Sequence, residues 1–458
     1  MTAQTMNVNA VIDNAKFKPF HALVVMWCLF VVVFDGYDLA INGVVLPLLM
    51  QEWGLTAVQA GMLASTALCG MMFGAMLFGM LADKIGRKNV ILICVTLFSG
   101  FTFWGGFATS PTEFGILRFI AGLGIGGVLP NLVSLTYEYA PKRLRGTLVT
   151  TMFSGYAVGG VLAALLGRWL VADHGWQMMF YIAGLPLLFV PLLWKFLPES
   201  LTFLVKKQKN DTAKAIVKRI APAEKITAET KLVLQEVEAT SEASVKELFR
   251  QGRGMGTVLF WCTFFMCLLM LYALGSWLPK LMIAAGYSMG TSLMFLLSMN
   301  IGGVIGIIGG GILSDRFHLK PVIITMLLMG ALALFGLGFN SPQYVLYLLV
   351  GITGASALGA SILLYSYVAE YYPLSVRATG IGTASGVGRI GAIIGPIVIG
   401  MLLGMELPHK LNFLAVALPA LIAVISIALI RTPKIMEEDV VLEADLAKSY
   451  SEKQSLSN

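Results

Sequence analysis

Asp35 and Asp38 stand three residues apart in FDGYDLAING, inside a long apolar run. On a helix that spacing puts both carboxylates on one face. Two acids this close and partly out of water cannot both hold charge cheaply, which suits a site that loads and releases protons. Arg118, in RFIAGLGIGGVLPN, is another charge in apolar surroundings, and Asp38 is the counter-ion the chain offers it. Protonating Asp38 would break such a pair and free the guanidinium. Arg389 lies among Gly386, Gly388 and Gly391, which leave room beside it. Its rigid fork matches a carboxylate, so it leads the candidates for holding an anionic ligand. Asn42, Asn131 and Asn300 add uncharged hydrogen-bonding groups at cavity depth, while Trp277 and Tyr365, with Tyr272 and Tyr367, offer rings for stacking. Each has a structural alternative: a cap for an aspartate, backbone carbonyls for Arg118, a loop acid for Arg389, plain packing for the rings.

The elements that carry these residues are membrane spans. The chain has 458 residues, 57% hydrophobic and 12% charged, against about 25% charged in soluble domains. Apolar runs of about 20 residues, enough to cross the hydrocarbon, recur twelve times: 22–49, 58–82, 89–108, 112–139, 146–170, 177–197, 256–285, 290–314, 321–339, 343–369, 379–404 and 410–430. The expected fold is an all-α membrane protein with a six-helix half (1–197), a polar central loop (198–253), a second six-helix half (254–430) and a polar tail (431–458). Within the loop, Lys206 to Lys225 and the stretch holding Glu236, Glu238 and Glu242 have the composition of short surface helices. The first run lacks a small-residue cleavage site, so it reads as a mature helix rather than a signal peptide.

Charge sets orientation. The formal charge of +7 is not spread as nucleic-acid binding would need. Lys84, Arg87 and Lys88 follow span 2, Lys142, Arg143 and Arg145 follow span 4, and the links after spans 1, 3, 5 and 9 hold no Lys or Arg. By the positive-inside rule, both termini and the central loop are cytoplasmic. The five cysteines fall in apolar segments without metal-ligand spacing, and no nucleophile–base constellation or phosphate loop is evident. No metal, cofactor or enzymatic activity is expected, and the protein is expected to be a monomer.

The two halves repeat each other. Adding 232 to Gly43, Leu46, Pro47 and Met50 gives Gly275, Leu278, Pro279 and Met282; adding it to Glu138, Tyr139, Pro141 and Arg145 gives Glu370, Tyr371, Pro373 and Arg377. A period this long marks duplicated domains rather than a solenoid. In so apolar a chain, two parallel halves around a midplane cleft are a transporter architecture. The same offset pairs GMLADKIGRK (Gly79 to Lys88) with GILSDRFHLK (Gly311 to Lys320). Gly79, Asp83, Arg87, Asp315 and Arg316, with the pairs Glu138/Arg145 and Glu370/Arg377, are the candidate cytoplasmic gate. Asp35, Asp38 and Arg118 map instead to Cys267, Met270 and Val350, so the proton candidates belong to one half.

The first loop carries the G-x-x-x-D-[RK]-x-G-[RK]-[RK] pattern of the major facilitator superfamily; the second matches less fully, with His318 at the second glycine. With DGYD at Asp35 to Asp38, Arg118, Glu138, Arg377 and Arg389, the chain resembles the aromatic acid:proton symporter family, and within it bacterial benzoate transporters. The resemblance runs from span 1 to span 12. It implies proton-coupled uptake of a small aromatic carboxylate, benzoate foremost, across a bacterial inner membrane. Relatives carrying hydroxybenzoate, protocatechuate, vanillate or muconate share these landmarks. Sugar porters are similar in GYD and in PES at Pro198 to Ser200, and that similarity implies that Asp38 and Arg118 act as a proton-linked pair. A symporter for another organic acid or a sugar, and a membrane sensor of aromatic acids, are the alternatives.

Overall fold

A computed structural model describes residues 5–222, 230–233, 245–250, 252–339, 341–405 and 408–431. The acidic stretch of the central loop and the tail beyond 431 lie outside the described residues. Twelve helices or helix pairs are long and apolar enough to cross a membrane, at the places the apolar runs mark.

In the first half a short α1 (Val8–Asp13) precedes α2 (Pro19–Glu52), α3 (Ala57–Ile85), α4 (Arg87–Gly105), α5 (Pro111–Tyr139) and α6 (Arg145–His174). The sixth span breaks into α7 (Gln177–Ala183) and α8 (Pro186–Phe196), because Pro186 has no N–H to continue the ladder. The central loop forms α9 (Leu201–Lys206) and α10 (Asn210–Ile220). The second half runs α11 (Gly254–Ala284), α12 (Met289–Arg316), α13 (Leu319–Gly336), α14 (Gln343–Tyr371), α15 (Leu374–Gly404) and α16 (His409–Leu429).

One feature departs from the all-α expectation. Thr5–Asn7 (β1) pairs in parallel with Lys231–Val233 (β2), with Met6 opposite Leu232. Both of those side chains are buried, so the chain's start is tied to its central loop. The surface helix expected over Lys206 to Lys225 is shorter, Asn210–Ile220, and buries Ala213, Ile216, Val217 and Ile220.

The halves meet along α2 with α11, α3 with α15, and α6 with α12. Small residues allow the approach. A Cβ on Gly43 would sit 2.1 Å from the Gly275 carbonyl oxygen, so the two copies of one duplicated glycine face each other across the interface. A Cβ on Gly61 would meet the Pro396 oxygen at 2.5 Å, and Ser65 Oγ donates to the Ile393 carbonyl at 2.7 Å. All these contacts lie from mid-helix toward the end away from the basic loops. At the loop end no described glycine approaches the opposite half in this way. The cleft is sealed at one end and open at the loop end.

Candidate functional site

The acidic face of α2 points into the first half. Asp38 and Arg118 are fully buried, and Arg118 Nη1 donates to both carboxylate oxygens of Asp38, at 2.9 and 3.0 Å. Thr102 Oγ1, from α4, donates to Asp38 Oδ1 at 2.6 Å and lies 3.2 Å from the same guanidinium nitrogen. Arg118 Nη2 also reaches the Asp38 backbone carbonyl at 3.3 Å. Most of the bonds a buried pair needs are met in this way, though Arg118 Nε has no partner among the described residues. The sequence pairing of these two residues is therefore present, with Thr102 as a third member.

Asp35, one turn earlier, is equally buried, yet neither carboxylate oxygen has a hydrogen-bond partner among the described residues. The charges within its electrostatic reach are Asp38 and, from the second half, Arg389. So the first half holds one carboxylate locked in a pair and another buried without a hydrogen-bond partner among the described residues.

Arg389 lines a cavity of about 130 Å³, together with Phe153, Tyr156, Tyr272, Tyr365 and an aliphatic wall that includes Leu358. No hydrogen bond or ion pair to a described residue ties up its guanidinium. Phe264 is T-stacked on Tyr365, with ring centroids 5.0 Å apart, and steadies that wall. A cationic fork set among aromatic and aliphatic surface is matched to a ligand that is anionic at one end and flat and apolar at the other.

A second chamber, of about 70 Å³, lies deeper toward the sealed end and shares Leu68, Tyr156, Leu271, Tyr272 and Leu358 with the first. Asn42 and Asn300 line it, as does Ser276.

Two candidates fall elsewhere. Trp277 is wholly buried in the packing of the second half, its indole N–H donating to the Pro396 carbonyl at 2.8 Å. Asn131 donates to the Gly127 carbonyl at 2.8 Å within its own helix. Neither lines the two chambers.

The gate candidates separate by half. Arg87 pairs with Glu138, while Arg145 pairs with Asp13 of α1 at 2.5 Å rather than with Glu138. Gly86, the second glycine of the first motif, has φ +97, a conformation other residues resist. Beside it the Glu199 carboxylate accepts the backbone N–H groups of Lys88 at 3.0 Å and Ser200 at 2.8 Å. Burial pushes the Glu199 carboxyl up from its usual range, and these donors pull it part of the way back. In the second motif His318 has φ −40; Asp315, Arg316 and Glu370 are exposed. Arg377 Nε donates to the Tyr372 carbonyl at 3.3 Å. Asp83 and Gly79 are exposed too. No gate pair joins the halves among the described residues, as an open loop end requires.

Thr102, Tyr156, Phe153 and Ser276 went unlisted in the sequence reading. The repeat itself marks them: their counterparts 232 positions away are Leu334, Gly388, Ser385 and Val44. A polar or aromatic residue whose twin differs in kind is where one half departs from shared architecture.

The Major Facilitator Superfamily model matches residues 28–312 and 296–452. The chain is 46% identical over 445 residues to the benzoate transport protein of Acinetobacter baylyi, covering 96% of each. It is 36% identical to the gallate transporter of Pseudomonas putida, over 91% of this chain and 93% of that one. A partially occluded, inward-open structure of the xylose transporter from E. coli superposes with TM-score 0.71 at 19% identity, covering 89% of this chain and 98% of that chain. The fold, the duplicated spans and the motifs agree with these likenesses: the chain belongs to the major facilitator superfamily, and within it groups with these aromatic-acid transporters.

Proposed function

We propose that this protein takes up a small aromatic carboxylate, benzoate foremost, with protons, by alternating access. The loop end faces the cytoplasm, so the form described is open inward. One observation carries the reading: the free Arg389 guanidinium, set in an aromatic wall, lies within electrostatic reach of Asp35, an unpartnered buried acid of the other half. The 46% identity to a benzoate transport protein supports the substrate class.

From outside, a proton enters the Asp35/Asp38 face. That proton on Asp38 releases Arg118; neutralising Asp35 as well, so that Arg389 is left wholly to the anion, takes a second proton. Ligand and proton together cancel charge, which lowers the cost of an occluded state in low dielectric. The far-end contacts along α3 and α15 then close while the loop end opens.

Stoichiometry decides the driving force. One proton with one monoanion moves no net charge and draws about 1.4 kcal/mol per pH unit. A second proton adds roughly 2.3 kcal/mol per 100 mV of membrane potential. The test is uptake of labelled benzoate into proteoliposomes under an imposed pH gradient, with Asp38→Asn beside wild type. Accumulation by wild type and none by the variant supports the reading; equal accumulation removes Asp38 from coupling. Counterflow by xylose or muconate, with none by benzoate, would replace the substrate class.

A further inference from the structure

The duplicated loop motif ends on a lysine in each half, Lys88 and Lys320, and the two are used differently. Lys320 Nζ donates to the Ala428 carbonyl at 3.1 Å and the Ile430 carbonyl at 2.7 Å, so it caps the end of α16. Lys88 Nζ has no hydrogen bond or ion pair to a described residue; it stands 5.8 Å from the ring of Trp194, near the end of α8. The acid near it, Glu199, already accepts the backbone N–H groups of Lys88 and Ser200. Trp194 is 65% exposed, and Lys195 beside it is exposed as well. Their twins are Ser426 and Ile427, so the second half has neither. Along α8, Leu188, Leu192 and Lys195 are exposed and recur at helical spacing on one face, and exposed Leu185 at the N-cap continues the stripe.

We propose that this face binds an anionic phospholipid of the loop-end leaflet, its phosphate at Lys88 and Lys195 and an acyl chain along Leu192, Leu188 and Leu185. Charge and length both select that occupant. An ammonium offers three donors and no acceptor, which suits phosphate oxygens. A zwitterionic headgroup brings its own cation to the two lysines, so net negative headgroups are favoured. From Leu185 to Lys195 the helix rises about 15 Å, half of the roughly 30 Å hydrocarbon and therefore one leaflet. Trp194 stands at the boundary, where an indole ring lies among the chains and its N–H among the headgroups. Free phosphate would use the lysines but leave the leucine stripe without a role. The lipid ties the first loop motif to the bilayer, where the second motif is tied to its own α16. With the loop end cytoplasmic, as proposed above, the leaflet is the inner one, which carries the anionic lipids; the site itself does not depend on that orientation.

The test is native mass spectrometry of the purified protein in mixed micelles, with phosphatidylglycerol titrated against phosphatidylcholine. Wild type is compared with Lys195→Gln, Lys88→Gln/Lys195→Gln and Lys320→Gln. Wild type is expected to retain phosphatidylglycerol in preference to phosphatidylcholine. Lys195→Gln, an exposed change that keeps the proposal testable if the double variant folds poorly, should raise the half-saturating phosphatidylglycerol fraction about fivefold, and the double variant at least about twentyfold. Lys320→Gln should stay within about twofold of wild type, since its ammonium is spent on carbonyls. An unmoved half-saturation in both Lys195→Gln and the double variant, an equal loss in Lys320→Gln, or no preference in wild type would each overturn the site. Displacement of the bound lipid by millimolar inorganic phosphate would overturn the lipid as its occupant. Benzoate transport enters none of these measurements, so failure of the substrate reading leaves this inference standing, and the reverse.

Discussion

The two six-helix halves share a repeat and a backbone plan, yet they carry different chemistry inside the membrane. The first half buries Asp35, Asp38, Arg118 and Thr102 and wraps its basic loop around Glu199. The second half buries no acid in its spans; it supplies Arg389, Tyr272 and Tyr365 to the open cavity and leaves Asp315 and Arg316 exposed. The contrast teaches a division of labour. In the proposed cycle, protons are handled where charges can pair, and the anion is held across the cleft where a guanidinium has been left free. On that proposal the acids and the anion site sit on opposite halves, so loading either one alters the electrostatics across the gap.

Removing charge from each half should break this contrast in different ways. The largest effect is expected at the buried pair: Asp38→Asn should abolish uphill uptake while sparing ligand exchange, and Arg118→Ala should abolish both, since stripping one partner of a buried pair costs about 3–5 kcal/mol. Accumulation and counterflow measured side by side separate the two. Next is Arg389→Lys, which loses the fork but keeps the charge; the apparent affinity for benzoate is expected to fall at least tenfold. An unmoved affinity would take the anion site out of the second half.

The seal ranks third. Gly43→Val drives side-chain atoms into the Gly275 carbonyl and should hold the far end apart. A membrane-impermeant thiol reagent added outside would then label Ser65→Cys faster in the Gly43→Val background than without it. Equal labelling would mean the glycine pair does not set closure. The smallest contrast lies in the loops. Glu199→Ala should cost about 1–2 kcal/mol, as loss of a helix-end acceptor does, whereas Asp315→Ala should stay within about 0.5 kcal/mol. Thermal midpoints in detergent decide, and equal losses would erase the loop asymmetry.

Much of this was legible from residue types and spacing. Apolar run length located the spans, and the offset of 232 separated shared landmarks from the specialised Asp35, Asp38 and Arg118. The Asp38–Arg118 contact was readable because a buried arginine needs an acid and few were on offer. Other features depend on who faces whom. Trp277 looked like a stacking ring, but its indole is spent on a carbonyl 119 positions away. Arg145 looked like a partner for Glu138, yet α1 brings Asp13 to it. The parallel pairing of residues 5–7 with 231–233 has no period or turn to announce it, since three residues are too few to show alternation. The repeat marks Tyr156 and Ser276 as unlike their twins, but only the packing of α6 and α11 sets them around one cavity.

Proton movement measured in step with the ligand tests the central claim most directly. With purified protein in vesicles holding a trapped pH indicator and no imposed gradient, a benzoate gradient directed inward should acidify the lumen in wild type and not in Asp38→Asn. Wild type that moves labelled benzoate at full rate with no change in lumenal pH would contradict the account.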